Sequence, residues 1–172
     1  AKVDLHRKIR QGAGEVVYGA GKTAEQITGI LTAMQENGQK NVLITRLDAQ
    51  KASAVSQVHP IHYNAQAGIG ILGEMEPPHG IGTIVVATGG TSDVPVAEEA
   101  ALTAEFLGNP VLRLYDVGVA GIHRLLSHSQ ELMSASVIIA IAGMEGALAS
   151  VIGGLVECPV IAVPTSVGYG AS

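Results

Sequence analysis

Four apolar runs organise the second half of the chain: Thr83 to Thr88, Pro110 to Tyr115, Ser136 to Ile141 and Pro159 to Val163. Each is about as long as a buried strand. Helical patterns fill the gaps, over Val94–Leu107, Gly121–Gln130 and Gly146–Leu155. The runs begin about every 25 residues, the length of a compact βα unit. Apolar runs without alternation belong to strands covered on both faces. The pattern therefore predicts a three-layer αβα domain around a parallel sheet, Rossmann- or flavodoxin-like, with right-handed crossovers placing helices on both faces.

The first half is less regular. Val16-Val17-Tyr18 reads as a short strand, and Thr23 with Gln26 forms a capping box for a helix that ends near Asn37-Gly38. Val42–Thr45 is a second short strand, and Asp48 caps the helix after it. From His59 to Gly82 the chain is rich in Pro, Gly and His, and reads as a linker or a pair of edge strands. These features predict a small N-terminal α/β subdomain over 1–80 and the parallel-sheet domain over 81–172. A parallel sheet that stopped at Ser172 would leave a raw edge, so further residues are expected beyond that point.

Composition narrows the class. Hydrophobic residues make up 47% and charged residues 15%, with one Phe and no Trp. This suits a Val, Ile, Leu and Ala core under helices. The net charge of -5 argues against a nucleic-acid binder, which needs a basic face. Basic residues are local: His6, Arg7, Lys8 and Arg10 lie together near the N-terminus. The single cysteine, Cys158, allows no internal disulfide and fits a reducing compartment. No apolar run reaches the roughly 18 residues of a membrane span, and no signal-peptide pattern opens the chain. The expectation is a cytoplasmic protein with neither nucleic acid nor membrane as partner.

In an open parallel sheet, ligands bind at the carboxyl ends of the strands. Four turns stand there. The first, Thr88-Gly89-Gly90-Thr91-Ser92-Asp93, offers two glycines for close backbone approach and two hydroxyls. It leads into a helix beginning near Pro95, whose free N–H groups would favour a phosphate. Plain capping by Ser92 or Asp93 is the alternative, but capping does not call for two preceding glycines. That helix carries Glu98 and Glu99, one of which should face solvent.

The second turn, Asp116-Val117-Gly118-Val119-Ala120-Gly121, delivers His123 and Arg124 to a helix start. A histidine there is an acid/base candidate, against the alternative of a plain surface residue. The third turn, Ala142-Gly143-Met144-Glu145-Gly146, sets one carboxylate in an apolar stretch from Val137 to Leu155. A carboxylate among apolar neighbours must be paired, protonated or used, which makes Glu145 the leading acid/base candidate. Met144 reads as a packing residue. The fourth, Pro164-Thr165-Ser166-Val167-Gly168-Tyr169-Gly170, is polar and reads either as a loop able to close over a ligand or as ordinary surface.

Other features carry less. Gly21-Lys22-Thr23 resembles the end of a phosphate-binding P-loop, but Val16 occupies the upstream glycine position and no long strand leads in. Cys158, just before Pro159, reads as structural. His59, His62 and His79 lack the short fixed spacing of a zinc site.

Four segments together resemble one family. They are Ala87 to Ala101 (ATGGTSDVPVAEEAA), Asp116 to Arg124 (DVGVAGIHR), Ala142 to Leu148 (AGMEGAL) and Val160 to Gly170 (VIAVPTSVGYG). In this order they are similar to LarB, the pyridinium-3,5-biscarboxylic acid mononucleotide synthases of the nickel-pincer nucleotide pathway that serves lactate racemase. Asp4-Leu5-His6-Arg7, Gly21-Lys22-Thr23 and Leu43-Ile44-Thr45-Arg46 extend the resemblance over the whole chain. A more distant resemblance is to the PurE family of aminoimidazole ribonucleotide carboxylases and mutases, through Ser92-Asp93 and Ile122-His123-Arg124. The histidine of the PurE third turn is absent, and Glu145 stands in that region.

The resemblance implies a PurE-like second domain and a reaction. Nicotinic acid adenine dinucleotide would gain a carboxylate from CO2 at C5 of its pyridinium ring and lose AMP by phosphoanhydride hydrolysis. A cysteine of the family adds to the ring, making an enamine-like carbon that attacks CO2, and loss of the C5 proton then expels the thiol. Glu145 matches the acidic residue that takes that proton. The family's cysteine lies past Ser172, and Cys158 is at the wrong position to replace it. The expected catalytic set is Glu145, Asp93 and His123. Substrate contacts are expected from Thr88, Gly89, Gly90, Thr91, Ser92, Gly118, Val119, Gly143, Met144, Thr165 and Ser166. No metal site and no tightly bound cofactor are expected, with CO2 or bicarbonate as co-substrate and Mg2+ a candidate helper for hydrolysis. Arg7, Lys22 and Arg46 are candidates for the adenylate half. A homo-octamer is implied. The alternatives are a PurE-type ribonucleotide carboxylase and a non-catalytic nucleotide-binding module.

Overall fold

A computed structural model describes residues 14–75 and 77–169. The basic group His6, Arg7, Lys8 and Arg10, and the end of the fourth turn at Gly170, lie outside the described residues. The chain divides into two compact units between Glu76 and Pro77. This is a few residues ahead of the Gly80 boundary, because the backbone N–H groups of His79 and Gly80 both donate to the Gly108 carbonyl and tie this stretch to the second unit.

The first unit is built from β1 (Val17–Tyr18), α1 (Ala24–Glu36), β2 (Val42–Thr45), α2 (Ala49–Ser56), β3 (Ile61–Asn64) and β4 (Ile69–Leu72). The Thr23–Gln26 capping box opens α1, and Asp48 caps α2 by accepting the Lys51 N–H at 2.8 Å. Ile27, Leu31 and Met34 lie on one stripe of α1 and are fully buried. The sheet order is β1-β2-β4-β3, with β1 and β2 parallel and the other pairs antiparallel.

The stretch read as a linker or two edge strands is a hairpin whose second strand lies inside the sheet. Every residue of β4 is buried. Gly70, which made the segment look like loop, is there for packing: a methyl at that position would meet Leu47 Cδ2 at 2.8 Å. His59 is likewise a core residue, its Nε2 held between Thr32 Oγ1 at 3.0 Å and the Thr28 carbonyl at 3.2 Å.

The second unit holds β5 (Ile84–Thr88), α3 (Val94–Phe106), β6 (Val111–Leu114), α4 (Ile122–Leu126), α5 (Ser129–Ser134), β7 (Val137–Ala142), α6 (Ala147–Gly153) and β8 (Val160–Pro164). All four strands are parallel, in the order β6-β5-β7-β8. This is the flavodoxin-like three-layer arrangement that the strand rhythm predicts. One face packs Val85, Ala87, Ile138 and Ala140 against Leu125, Leu132, Leu148 and Ile152 of α4, α5 and α6. The opposite face packs Val86 and Ile141 against Ala97 and Ala101 of α3.

The predicted helix over Gly121–Gln130 is instead a 3-10 turn at Val119–Gly121 followed by two short helices. Ser127 ends the first by donating its hydroxyl to the Arg124 carbonyl at 2.7 Å. A hydrogen bond between His128 Nδ1 and Glu131 Oε1 at 3.3 Å then opens the second. Among the described residues, no helix is long and apolar enough to cross a membrane.

Candidate functional site

From β5 the chain passes through α3 to β6 on one side, and from β7 through α6 to β8 on the other. The loops after β5 and β7 therefore diverge. A crevice at such a switch point is where open parallel sheets bind ligands. Its floor is drawn together by backbone contacts. The Gly89 N–H donates to the Ile141 carbonyl at 2.9 Å, and Thr165 N–H to the Ala142 carbonyl at 3.1 Å. Thr88 is fully buried. Its hydroxyl accepts the Asp116 N–H and its carbonyl the Val117 N–H, both at 2.9 Å, so it anchors the second loop to the first.

Two glycines are required by close approach. A methyl on Gly118 would overlap the Gly89 carbonyl oxygen, and one on Gly143 would overlap the carbonyl of Val167. These positions join the first loop to the second and the third to the fourth. Gly89 itself lies against Ala142, whose Cβ is 3.1 Å from where a Gly89 side chain would start.

The first loop differs from expectation at its cap. Gly90, in extended conformation, precedes a 3-10 turn over Thr91–Asp93 that runs directly into α3. The helical path thus begins ahead of Pro95, and Asp93, at the N-cap position of α3, makes no side-chain bond into that helix. Asp93 sits at the third position of the turn and reaches back, its Oδ2 accepting the Gly90 N–H at 3.0 Å. Its Oδ1 accepts the Thr165 hydroxyl at 2.7 Å. Asp93 and Thr165 are both buried.

This changes what the turn can hold. The Gly90 N–H is occupied, and a carboxylate already stands at the start of α3, where it complements the helix dipole. A second anion there would meet like charge. The exposed groups are Thr91 and Ser92, with Ser166 across on the fourth loop. They suit the hydroxyls of a sugar better than a phosphate.

The remaining residues separate into braces and exposed groups. Val119 packs against the core beneath α4 to α6, so its side chain is turned away from solvent. Met144 has φ +56 and donates its N–H to the Val167 carbonyl at 3.2 Å. It is half exposed, with its side chain against Gly168. His123 and Glu145 are exposed, on separate loops. Among the described residues, no hydrogen bond joins either of them to Asp93.

Glu145 is therefore not set among apolar side chains. The loop after β7 turns outward through the left-handed backbone of Met144 and Gly146 and lifts the carboxylate into solvent. The fourth loop is pinned at Thr165, and beyond it Ser166, Gly168 and Tyr169 are exposed. Glu98 and Glu99 are both half-buried. Glu98 accepts the Arg113 Nε–H at 3.2 Å and the Tyr115 hydroxyl at 2.7 Å, from partners 15 and 17 residues away that leave no periodic trace. Arg124 is paired with Asp116 at 2.5 Å. Among the described residues, no group of three or more His, Cys, Asp or Glu side chains could hold a metal ion. Cys158 is half-buried and packs against the core beneath α4 to α6.

Comparison with known proteins agrees with this architecture. Residues 1–74 match the LarB/PurE-like N-terminal domain, and residues 83–171 match the AIR carboxylase domain. The chain belongs to the LarB family. An uncharacterized protein of Methanocaldococcus jannaschii is 41% identical over 179 aligned residues, which cover 98% of this chain and 69% of that protein. This LarB-family chain is thus a PurE-like protein with a carboxylase-type function.

Proposed function

We propose that this LarB-family protein carboxylates the pyridinium ring of nicotinic acid adenine dinucleotide at C5 and hydrolyses its phosphoanhydride. The products are the 3,5-biscarboxylic acid mononucleotide and AMP, which would open the synthesis of the nickel-pincer cofactor of lactate racemase. The observation that carries the reading is the Asp93–Thr165 bond across the switch point, in a chain whose first unit matches the LarB/PurE-like N-terminal domain. That bond holds the first and fourth loops together and leaves Thr91, Ser92 and Ser166 exposed as partners for a ribose.

Each residue then has a task. Thr88, Gly118 and Gly143 set the spacing of the loops, and Asp93 braces the ribose contacts from behind. Glu145 takes the C5 proton once the new carbon–carbon bond has formed. Its exposure in the free protein suits a base that meets its substrate only when the ring covers it. His123 lies toward the ring and the CO2. The thiol that activates the ring in the family's reaction is not assigned to Cys158, which is half-buried against the core. The assembly is taken to be a homo-octamer, measurable by light scattering.

A second reading is favoured by one observation: residues 83–171 match a domain described by aminoimidazole ribonucleotide carboxylation. Labelled bicarbonate offered with each substrate to the full-length protein, with and without Mg2+, separates the two. Acid-stable label is expected on the pyridinium nucleotide alone. Label transferred to aminoimidazole ribonucleotide instead would reverse the assignment, and label on neither would leave only a nucleotide-binding module.

A further inference from the structure

Helix α3 carries the Thr91–Asp93 turn at its N-terminal end, so the turn is only as well placed as the helix. The buried positions of α3 are Ala97, Ala101 and Ala104, with Val96 and Ala100 partly buried beside them. Alanines bury area but offer no knobs to lock a helix along its axis or against rotation. The opposite face is different, since α4 to α6 enter it with Leu125, Leu132, Leu148 and Ile152.

What grips α3 is polar and lies at the edge strand. Arg113 lies in β6 and Tyr115 just after it, two residues apart, so that both point to one face. Glu98 and Glu105 stand seven residues apart on α3, about two turns. The Arg113 guanidinium bridges them. It holds Glu105 through Nη1 at 2.5 Å and Nη2 at 2.9 Å, and Glu98 through Nε at 3.2 Å. Tyr115 donates its hydroxyl to the same Glu98 at 2.7 Å, while its ring packs beside Ala97 and Ala101.

Bidentate contacts to a planar guanidinium fix direction as well as distance. The hydrogen bonds with Glu105 raise the pKa of Arg113, and burial followed by the bond with Glu98 raises that of Tyr115. The guanidinium therefore stays charged and the phenol stays a donor across the working pH range. Tyr115 also immediately precedes Asp116, whose N–H is held by Thr88.

We infer that the Tyr115–Glu98–Arg113–Glu105 clamp sets the axial position of α3, and that Tyr115 is thereby a positioning residue for the Thr91–Asp93 turn. Its hydroxyl ties the start of the second loop to the helix that carries the first. The effect on substrate rests on the function proposed above, but the effect on the turn does not.

The test is Tyr115→Phe, which removes one donor and keeps the ring. Amide exchange by NMR is read at Gly90, Asp93 and Val94, whose N–H groups are bonded within the turn. Loss of a typical hydrogen bond should speed exchange there about fivefold relative to the helix interior at Ala101–Ala104. Glu98→Ala should reproduce the effect, and Glu98→Gln, which keeps an acceptor for the phenol, should restore most of it. In the carboxylation assay with nicotinic acid adenine dinucleotide, Tyr115→Phe should raise KM severalfold and leave kcat near wild type.

Exchange at the turn that is unchanged, or that rises by the same factor along all of α3, overturns the inference. Failure of the wild-type protein to turn over the dinucleotide, with turn-specific exchange present in Tyr115→Phe, would overturn the proposed function and leave the clamp standing.

Discussion

The Thr165 hydroxyl donates to Asp93 Oδ1 at 2.7 Å, joining the end of β8 to the start of α3 across 72 residues of sequence. Both residues are buried, and among the described residues Thr165 is one of two donors that reach this carboxylate, the other being the Gly90 N–H. Thr165→Val keeps the shape and removes the donor. A buried acceptor left short of a partner costs about 1–3 kcal/mol, and urea denaturation should show a loss of that size. Thr165→Ser keeps the hydroxyl and should lose no more than about 1 kcal/mol, the scale of one methyl group.

Gly118→Ala and Gly143→Ala should damage the loops rather than the strands. Gly118 has an ordinary φ of -60, so alanine fits its backbone. The obstacle is the Gly89 carbonyl facing it. Overpacking of this kind costs roughly 1–3 kcal/mol. Dinucleotide affinity should fall while the far-ultraviolet circular dichroism of the folded protein stays as in wild type. Retained affinity in both variants would mean that the loops have room to spare.

The first unit offers a pH test. The Lys51 backbone N–H, and then its ammonium group, hold the pKa of Asp48 below the ordinary aspartate value. A depressed folded pKa stabilises above the unfolded pKa and loses that contribution as pH falls through the folded one. Asp48→Asn keeps a good cap but does not titrate. Wild type should therefore be the more stable at neutral pH, and the gap should close as pH drops below the usual aspartate range. A gap that is constant with pH would refute the assignment.

Much of this architecture is legible in the sequence. The four strands of the second unit announce themselves as short apolar runs, and Thr23 and Asp48 mark helix starts by local chemistry that needs no tertiary context. β4 is hidden because Gly70 serves Leu47, a residue that no local window connects to it. The exposure of Glu145 is hidden because the left-handed conformation of Met144 is not a methionine preference. The role of Asp93 is read only when Thr165 is brought beside it, since partners so distant in sequence leave no periodic trace.

Glu145→Gln separates binding from chemistry. The amide keeps the size of the side chain and cannot accept the C5 proton, so dinucleotide affinity should hold while carboxylation is lost by 100-fold or more, about the lower end of general-base contributions. Unchanged turnover would remove Glu145 from the base role. His123→Asn, by contrast, should retain part of the activity.

The most direct measurement is carbon-13 NMR of the product formed by the full-length protein from nicotinic acid adenine dinucleotide and carbon-13 bicarbonate. One new carboxyl resonance coupled to pyridinium C5 is expected, with AMP released in equal amount. AMP release without label at C5, or label on no pyridinium carbon, would contradict the proposed reaction.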